Sequence, residues 1–279
     1  MASEVSLRFG TAGLPLSTPR PGTVHGIRRA RELGLECLEM AWGNGVRMSG
    51  ATADRIHEAR DECGLELTAH APYYINLCGA EDVVERSVAR LVEAGVQAGR
   101  CGAASFCFHP GWYGGQAPAV ARRRVASRLR QVTRGLRERG VSLDVRPEIT
   151  GKPSQVGTLD EILAWSAVIP GIRPGLDFSH QYARHQGAFN RHEDFLALLG
   201  QVSARLGRDA LSRLHVHISG IEFGPGGERR HLPLMKSKFR WRDLLRALRE
   251  VRASGWVICE TPAMEEDALR LQRFYRRIA

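Results

Sequence analysis

No stretch of this chain stays apolar for the roughly 18 residues that a membrane-spanning helix needs. The opening segment MASEVSLRFG carries no signal-peptide apolar core. Its six cysteines (Cys37, Cys63, Cys78, Cys101, Cys107 and Cys259) include no C-x-x-C pair. In a chain of this length that pattern points to reduced thiols in a cytoplasmic protein rather than a disulfide scaffold. No G-x-G-x-x-G follows the first strand-like segment, which weighs against an open dinucleotide-binding sheet. No composition break, linker or internal repeat divides the 279 residues. A single domain over residues 1–279 is therefore expected, a size at which (β/α) barrels of about 250 residues form one unit.

What is present is an excess of positive charge: 40 basic against 30 acidic residues, a net +10 and a pI near 9.9. Such an excess suits a polyanionic partner. Much of the arginine falls in one predicted helix, Ala119–Gly140, with Val125, Leu129, Val132 and Leu136 on its apolar face. There the arginines read as a solvated face.

Strand-like and helix-like segments alternate from end to end. The predicted strands are Val5–Thr11, Leu35–Ala41, Leu65–His70, Ala103–His109, Val141–Glu148, Ile172–Asp177, Leu211–Ser219 and Trp256–Glu260. Between and after them, helical spacing predicts helices such as Thr23–Leu33, Thr52–Cys63, Asp82–Val96, His192–Leu206, Trp241–Val251 and Glu265–Ile278. Thr158-x-x-Glu161 is a capping-box pattern opening Leu159–Val168. Eight strand–helix units in strict alternation predict an α/β fold, a parallel (β/α)8 TIM barrel.

The chemistry is positional. His70, His109, Glu148, Asp177 with His180, His217 and Glu260 lie at the C-terminal ends of predicted strands three to eight. On a barrel those ends converge on one mouth. So many titratable groups gathered together need a compensating charge, which divalent cations provide. Imidazole and carboxylate without cysteine suit Zn²⁺, with Mn²⁺ compatible with the same donors. Four imidazoles and three carboxylates exceed one tetrahedral ion, so two or three ions are implied. Clustered cations of this kind serve phosphoryl displacement. Tyr73 and Tyr74, adjacent after Pro72, suit stacking on a flat partner.

The motifs that carry a family resemblance run through most of the chain. They are GTAG (Gly10–Gly13), HAPYYINL (His70–Leu77), FHPG (Phe108–Gly111), PEITGKPSQVGTLDEI (Pro147–Ile162), LDFSH (Leu176–His180), HVHISG (His215–Gly220), RRHLPL (Arg229–Leu234) and ETP (Glu260–Pro262). In this order the chain resembles the endonuclease IV family of apurinic/apyrimidinic endonucleases, within the xylose-isomerase-like barrels. The resemblance implies a monomeric, zinc-dependent DNA repair hydrolase. Such an enzyme cuts duplex DNA 5′ of an abasic site, leaving a 3′-hydroxyl and a 5′-deoxyribose phosphate. It further implies that His70 and His109 hold one ion and that Glu148, the catalytic carboxylate, bridges to a second shared with Asp177, His217 and Glu260. His180 and His231 hold the third. Tyr73 and Tyr74 fall in the loop that the family inserts at the lesion.

Two departures stand out. Where the family has an Asp two residues before the third-ion histidine, this chain has Arg229, with Glu228 one residue further off. Either Glu228 replaces that ligand, or the third ion binds weakly or is absent and Arg229 offers its charge to a phosphate instead. In the doublet His215-Val216-His217 both imidazoles point the same way on a strand. His217, nearer the mouth, reads as the ligand and His215 as its support or as core. Glu39, Trp42 and Arg47 are further candidates for the mouth, or ordinary loop residues. Two other functions stay open: a sugar isomerase or epimerase with one ion held by Glu148, Asp177, His217 and Glu260, and a protein that binds damaged DNA without cutting it.

Overall fold

A computed structural model describes residues 7–278; Val5 and Ser6 of the first predicted strand lie outside them. Eight parallel strands form a barrel: β1 (Leu7–Ala12), β2 (Cys37–Ala41), β3 (Glu66–His70), β4 (Ser105–Phe108), β5 (Asp144–Pro147), β6 (Gly175–Asp177), β7 (Leu214–Ile218) and β10 (Gly255–Cys259). Between β7 and β10 runs an antiparallel hairpin, β8 (Gly220–Gly224) and β9 (Gly227–Leu232). The barrel order is β5-β4-β3-β2-β1-β10-β7-β6. The ring closes where Val145 bridges Ile172 and Glu148 bridges Gly175. The helices are α1 (Thr23–Glu32), α2 (Gly50–Cys63), α3 (Glu81–Arg100), α4 (Pro118–Glu138), α5 (Leu159–Val168), α6 (Phe178–Arg184), α7 (His192–Leu206), α8 (Trp241–Glu250) and α9 (Glu265–Arg277). The expected (β/α)8 TIM barrel is the fold. No described helix is long and apolar enough to cross a membrane, and all six cysteines are free thiols.

Local chemistry sets the element ends. Ser49 caps α2 with its hydroxyl, and Gly64 ends that helix in the left-handed region at φ 57°. The predicted capping box opens α5: Thr158 Oγ1 accepts from the Glu161 amide at 3.3 Å, and Glu161 Oε2 accepts from the Thr158 amide at 3.0 Å. β6 is shorter than the predicted Ile172–Asp177, because Pro174 has no amide hydrogen to give the ladder. α6 and the β8–β9 hairpin are elements that the sequence pattern did not announce.

Two compartments follow from the strand alternation. The main apolar core lies between strands and helices, where Val125, Leu129, Val132 and Leu136 of α4 are buried as expected. The lumen takes every second strand residue and is largely polar: Glu39 on β2, Thr68 and His70 on β3, Ser105 and Cys107 on β4, Arg146 on β5, and His215 and His217 on β7. At Gly10, β1 approaches β2 so closely that an added Cβ would sit 2.0 Å from the Cys37 carbonyl oxygen. Gly10→Ala is therefore expected to cost about 1–3 kcal/mol through overpacking, read as a lower urea midpoint. A midpoint equal to that of the parent would show that this strand pair has slack.

Candidate metal centre

Strand ends deliver the site. His70 and Asp177 are the last residues of β3 and β6, and His217 is the penultimate residue of β7. His109, Glu148 and Glu260 come one residue after β4, β5 and β10. Glu148 is at the centre. Its Oε2 lies 3.1 Å from His70 Nε2 and 3.3 Å from His109 Nε2. Its Oε1 lies 3.2 Å from His180 Nδ1 and 3.1 Å from His217 Nδ1. The D-x-x-H spacing has a local cause: Asp177 caps α6, its Oδ1 accepting from the His180 amide at 2.6 Å. That leaves Asp177 Oδ2 buried, 3.2 Å from His180 Nδ1, without a hydrogen-bond partner.

Three imidazoles are oriented by the backbone. The Nδ1–H of His70 donates to the Ala71 carbonyl, that of His180 to Ile149 and that of His231 to Glu260, each at 2.9 Å. Their Nε2 atoms are aimed at carboxylates, an arrangement typical of metal-bound histidine. His231 Nε2 is itself buried without a hydrogen-bond partner. Among the described residues, three groupings bring donor atoms within 4.8 Å of one another at the mouth: His70, His109 and Glu148; Glu148, Asp177, His217 and Glu260; and His180, Glu228 and His231. Imidazole nitrogens facing carboxylates, with Asp177 Oδ2 and His231 Nε2 unpartnered among them, fit a cluster of divalent cations.

The third grouping depends on the hairpin. Ile221 pairs with His231, Glu222 with Arg230, and Phe223 with Glu228, so Arg229 is an extra residue bulged out of β9. The bulge turns Glu228 to the side of His231, and Glu228 Oε2 reaches 3.3 Å from His180 Nε2. Gly151 makes room, since a Cβ there would meet the Glu228 Cβ at 2.7 Å. Arg229 points outward, with its side chain 61 % exposed and 3.8 Å from Glu222.

The remaining candidates divide. A cavity of about 300 Å³ is lined by Glu39, Trp42, Tyr73 and the mouth histidines. Tyr73 stands on its lip, 64 % exposed, and Tyr74 beside it in the chain is 66 % exposed. Arg47 lies outside the cavity, in an adjoining groove with Pro72, Tyr74 and Arg90. Glu39 is no loop residue but a fully buried carboxylate, 2.8 Å from His215 Nε2 and 3.1 Å from His217 Nε2. His215 stands behind His217 and hydrogen-bonds Ser105 Oγ through Nδ1 at 2.8 Å. Thr68 and Ser105, which brace this pair, were not singled out from the sequence. Their signal was the every-second-residue spacing that links Thr68 to His70 and Ser105 to His109.

The electrostatics follow from crowding. Burial works against the charge of Glu148, but His217 and His109 hold its carboxyl well below the usual range. Burial likewise disfavours imidazolium, yet Glu148 raises His70 to about 9. His180 is held well above its ordinary value chiefly by Asp177, and His217 chiefly by Glu260. Burial pushes Asp177 up to about 7 and His215 down to about 4. Against its burial, His180 and His231 bring Glu228 down to about 2.

The sequence model of the family described as xylose isomerase-like TIM barrel matches residues 27–278. The chain belongs to this family. An uncharacterized protein of Methanocaldococcus jannaschii is 38 % identical over the full length of both chains. Endonuclease 4 of Thermus thermophilus is 27 % identical over 262 residues, 91 % of this chain and 92 % of that one. A crystal structure of endonuclease IV from the same species superposes with a TM-score of 0.76 at 24 % identity, covering 96 % of this chain and all of the other. A D-tagatose 3-epimerase-like protein shares the same barrel, with a TM-score of 0.69 at 16 % identity and 98 % of each chain covered. The family resemblance read from the motifs is thereby borne out.

Metal ligation requires neutral imidazole. His70 keeps its proton up to about pH 9 in the metal-free protein, and His180 and His217 are held the same way. Zinc uptake at pH 7 should therefore release protons, and zinc affinity should fall as pH is lowered. Calorimetric titration in two buffers of different ionisation enthalpy measures the release. Identical heats in both buffers would contradict it.

Proposed function

We propose that this chain is a metal-dependent endonuclease that hydrolyses the phosphodiester 5′ of an abasic site in duplex DNA. The observation that carries the reading is the set of histidines beyond a single-ion site. Glu148, Asp177, His217 and Glu260 alone would serve a one-metal sugar isomerase. That chemistry leaves no role for His70 and His109 on the second oxygen of Glu148, or for His180 and His231 around Glu228. Endonuclease 4 of Thermus thermophilus, matched over nine-tenths of both chains, supports the same reading.

In this proposal His70, His109 and Glu148 would hold one cation, Glu148, Asp177, His217 and Glu260 a second, and His180, Glu228 and His231 a third. Zn²⁺ suits these donors best, with Mn²⁺ compatible. When bound, such ions neutralise phosphate charge and bring the pKa of water toward neutrality. The backbone carbonyls of Ala71, Ile149 and Glu260 orient the imidazoles before substrate arrives. Tyr73, exposed on the lip, and Tyr74 beside it would stack against the bases beside the lesion, and Arg47 would meet a neighbouring phosphate.

Elemental analysis of purified protein beside an abasic-duplex nicking assay tests the proposal. Two or three ions per chain with nicking are expected. One ion per chain with turnover of a ketose would replace the proposal with sugar chemistry. Glu148→Gln should lower nicking at least about a hundredfold with the fold intact by circular dichroism, and an unimpaired variant would remove Glu148 from the centre. Replacing Tyr73 and Tyr74 together by Ala should cost about 1–3 kcal/mol of discrimination for each lost stack, with metal content unchanged. Equal loss on abasic and intact duplex would assign the pair to general binding instead.

A further inference from the structure

We propose that Glu39 is a positioning residue of the metal centre: braced by Thr68 and His215, its carboxylate fixes the tautomer of His217 so that Nδ1 faces the cation. The inference rests on the reading of His217 as a metal ligand and is independent of the substrate.

His217 differs from its neighbours. His70, His180 and His231 each anchor Nδ1 on a backbone carbonyl and turn Nε2 to the carboxylates. His217 is reversed. Its Nδ1 faces Glu148 Oε1 at 3.1 Å and Glu260 Oε1 at 3.5 Å, and its Nε2 points down into the lumen. Among the described residues no backbone carbonyl receives that Nε2; the Glu39 carboxylate does, through Oε2 at 3.4 Å, with Oε1 3.1 Å away.

A carboxylate only accepts hydrogen bonds. Each ring nitrogen turned to Glu39 must therefore carry a proton. On that basis His217 holds a proton on Nε2, and the proton on Nδ1, facing Glu148 and Glu260, is the one a cation would replace. His215 likewise donates from Nε2 to Glu39 Oε2 at 2.8 Å. Its Nδ1 is then an acceptor, and the Ser105 hydroxyl donates to it at 2.8 Å. Thr68 Oγ1 donates to the same Glu39 Oε2 at 3.0 Å. The two Nε2 atoms, 3.1 Å apart, straddle one carboxylate as the two arms of a guanidinium would. Glu39 Oε1 is buried without a hydrogen-bond partner, and His217 Nε2 is the cationic neighbour it faces, at 3.1 Å. The chain of contacts crosses the barrel from β4 through β7 to β2 and β3. It holds one ring in one orientation, the task that carboxylates behind metal-bound histidines perform.

Glu39→Gln tests this with little change in volume. The amide offers an N–H on one side, so one of the two imidazoles loses its acceptor. In ¹H–¹⁵N spectra of histidine-labelled, zinc-loaded parent protein, His217 should carry its proton on Nε2. In Glu39→Gln that signature should be lost or mixed, and zinc affinity by chelator competition should fall about ten- to a hundredfold. Thr68→Val, which removes only the hydroxyl brace, should lower affinity less. A parent that holds no zinc by elemental analysis ends the metal reading and this role with it. A parent that holds zinc while His217 is protonated on Nδ1 overturns the positioning role alone, and so does a Glu39→Gln protein with affinity within twofold of the parent. If Glu39→Gln does not fold, the parent spectrum and Thr68→Val decide, and wild-type affinity in Thr68→Val would then count against the brace.

Discussion

One buried carboxylate, that of Glu148, faces four imidazoles: two on strands, one just past the end of β4 and one on a helix. Removing such groups from water costs several kcal/mol for each charge. The assembly is tenable only because every charge has an opposite within about hydrogen-bond reach. The barrel seam supplies the placement. Glu148 bridges Gly175 where the ring closes, and its amide donates to the Phe108 carbonyl at 3.0 Å. Closure of the cylinder and assembly of the centre are thus a single event. A barrel opened at β5 and β6 would scatter both Glu148 and Asp177.

Below the mouth the lumen is also polar, and most of its polar atoms are hydrogen-bonded in tiers, Arg146 Nε and Glu39 Oε1 excepted. At the lower end Arg146 is fully buried; its Nη1 donates to the Pro174 carbonyl at 2.8 Å and its Nη2 to Asp144 at 2.9 Å and the Arg213 carbonyl at 2.7 Å. In the middle Thr68, Glu39, His215 and Ser105 form a hydrogen-bonded chain that reaches up to His217. Apolar burial between strands and helices therefore has to carry the stability, and it is extensive there. The interior is organised instead for orientation. Polar networks that are fully paired specify one arrangement of their members, as a multidentate centre requires.

The sequence made the barrel legible because its eight barrel strands are each followed by helical spacing, and because the chemistry recurs at strand ends. His70, His109, Glu148, Asp177, His217 and Glu260 could be read from spacing alone. The hairpin could not: GPGGERRH looks like a charged, glycine-rich loop, and its strands gain their order only by pairing with each other. α6 was hidden because it starts at Phe178, directly on the last strand residue, with no turn residues to announce it. Glu39 carried no local sign, lying in an otherwise apolar strand. Its meaning comes from His215 and His217, 176 and 178 residues away in the chain.

The third grouping shows how a donor can shift in sequence yet keep its place in space. On a regular strand, residues two apart share a face and residues three apart do not. An acidic residue at position 228 would therefore face away from His231 if β9 ran straight. The extra residue at Arg229 reverses that parity, and the glutamate side chain, one methylene longer than aspartate, covers part of the remaining distance to His180. Gly151 and Gly227, where an added Cβ would strike Glu228 and the Gly151 carbonyl respectively, let the hairpin settle close enough. The arginine standing where an acidic ligand was expected is thus the residue whose expulsion brings another acid in.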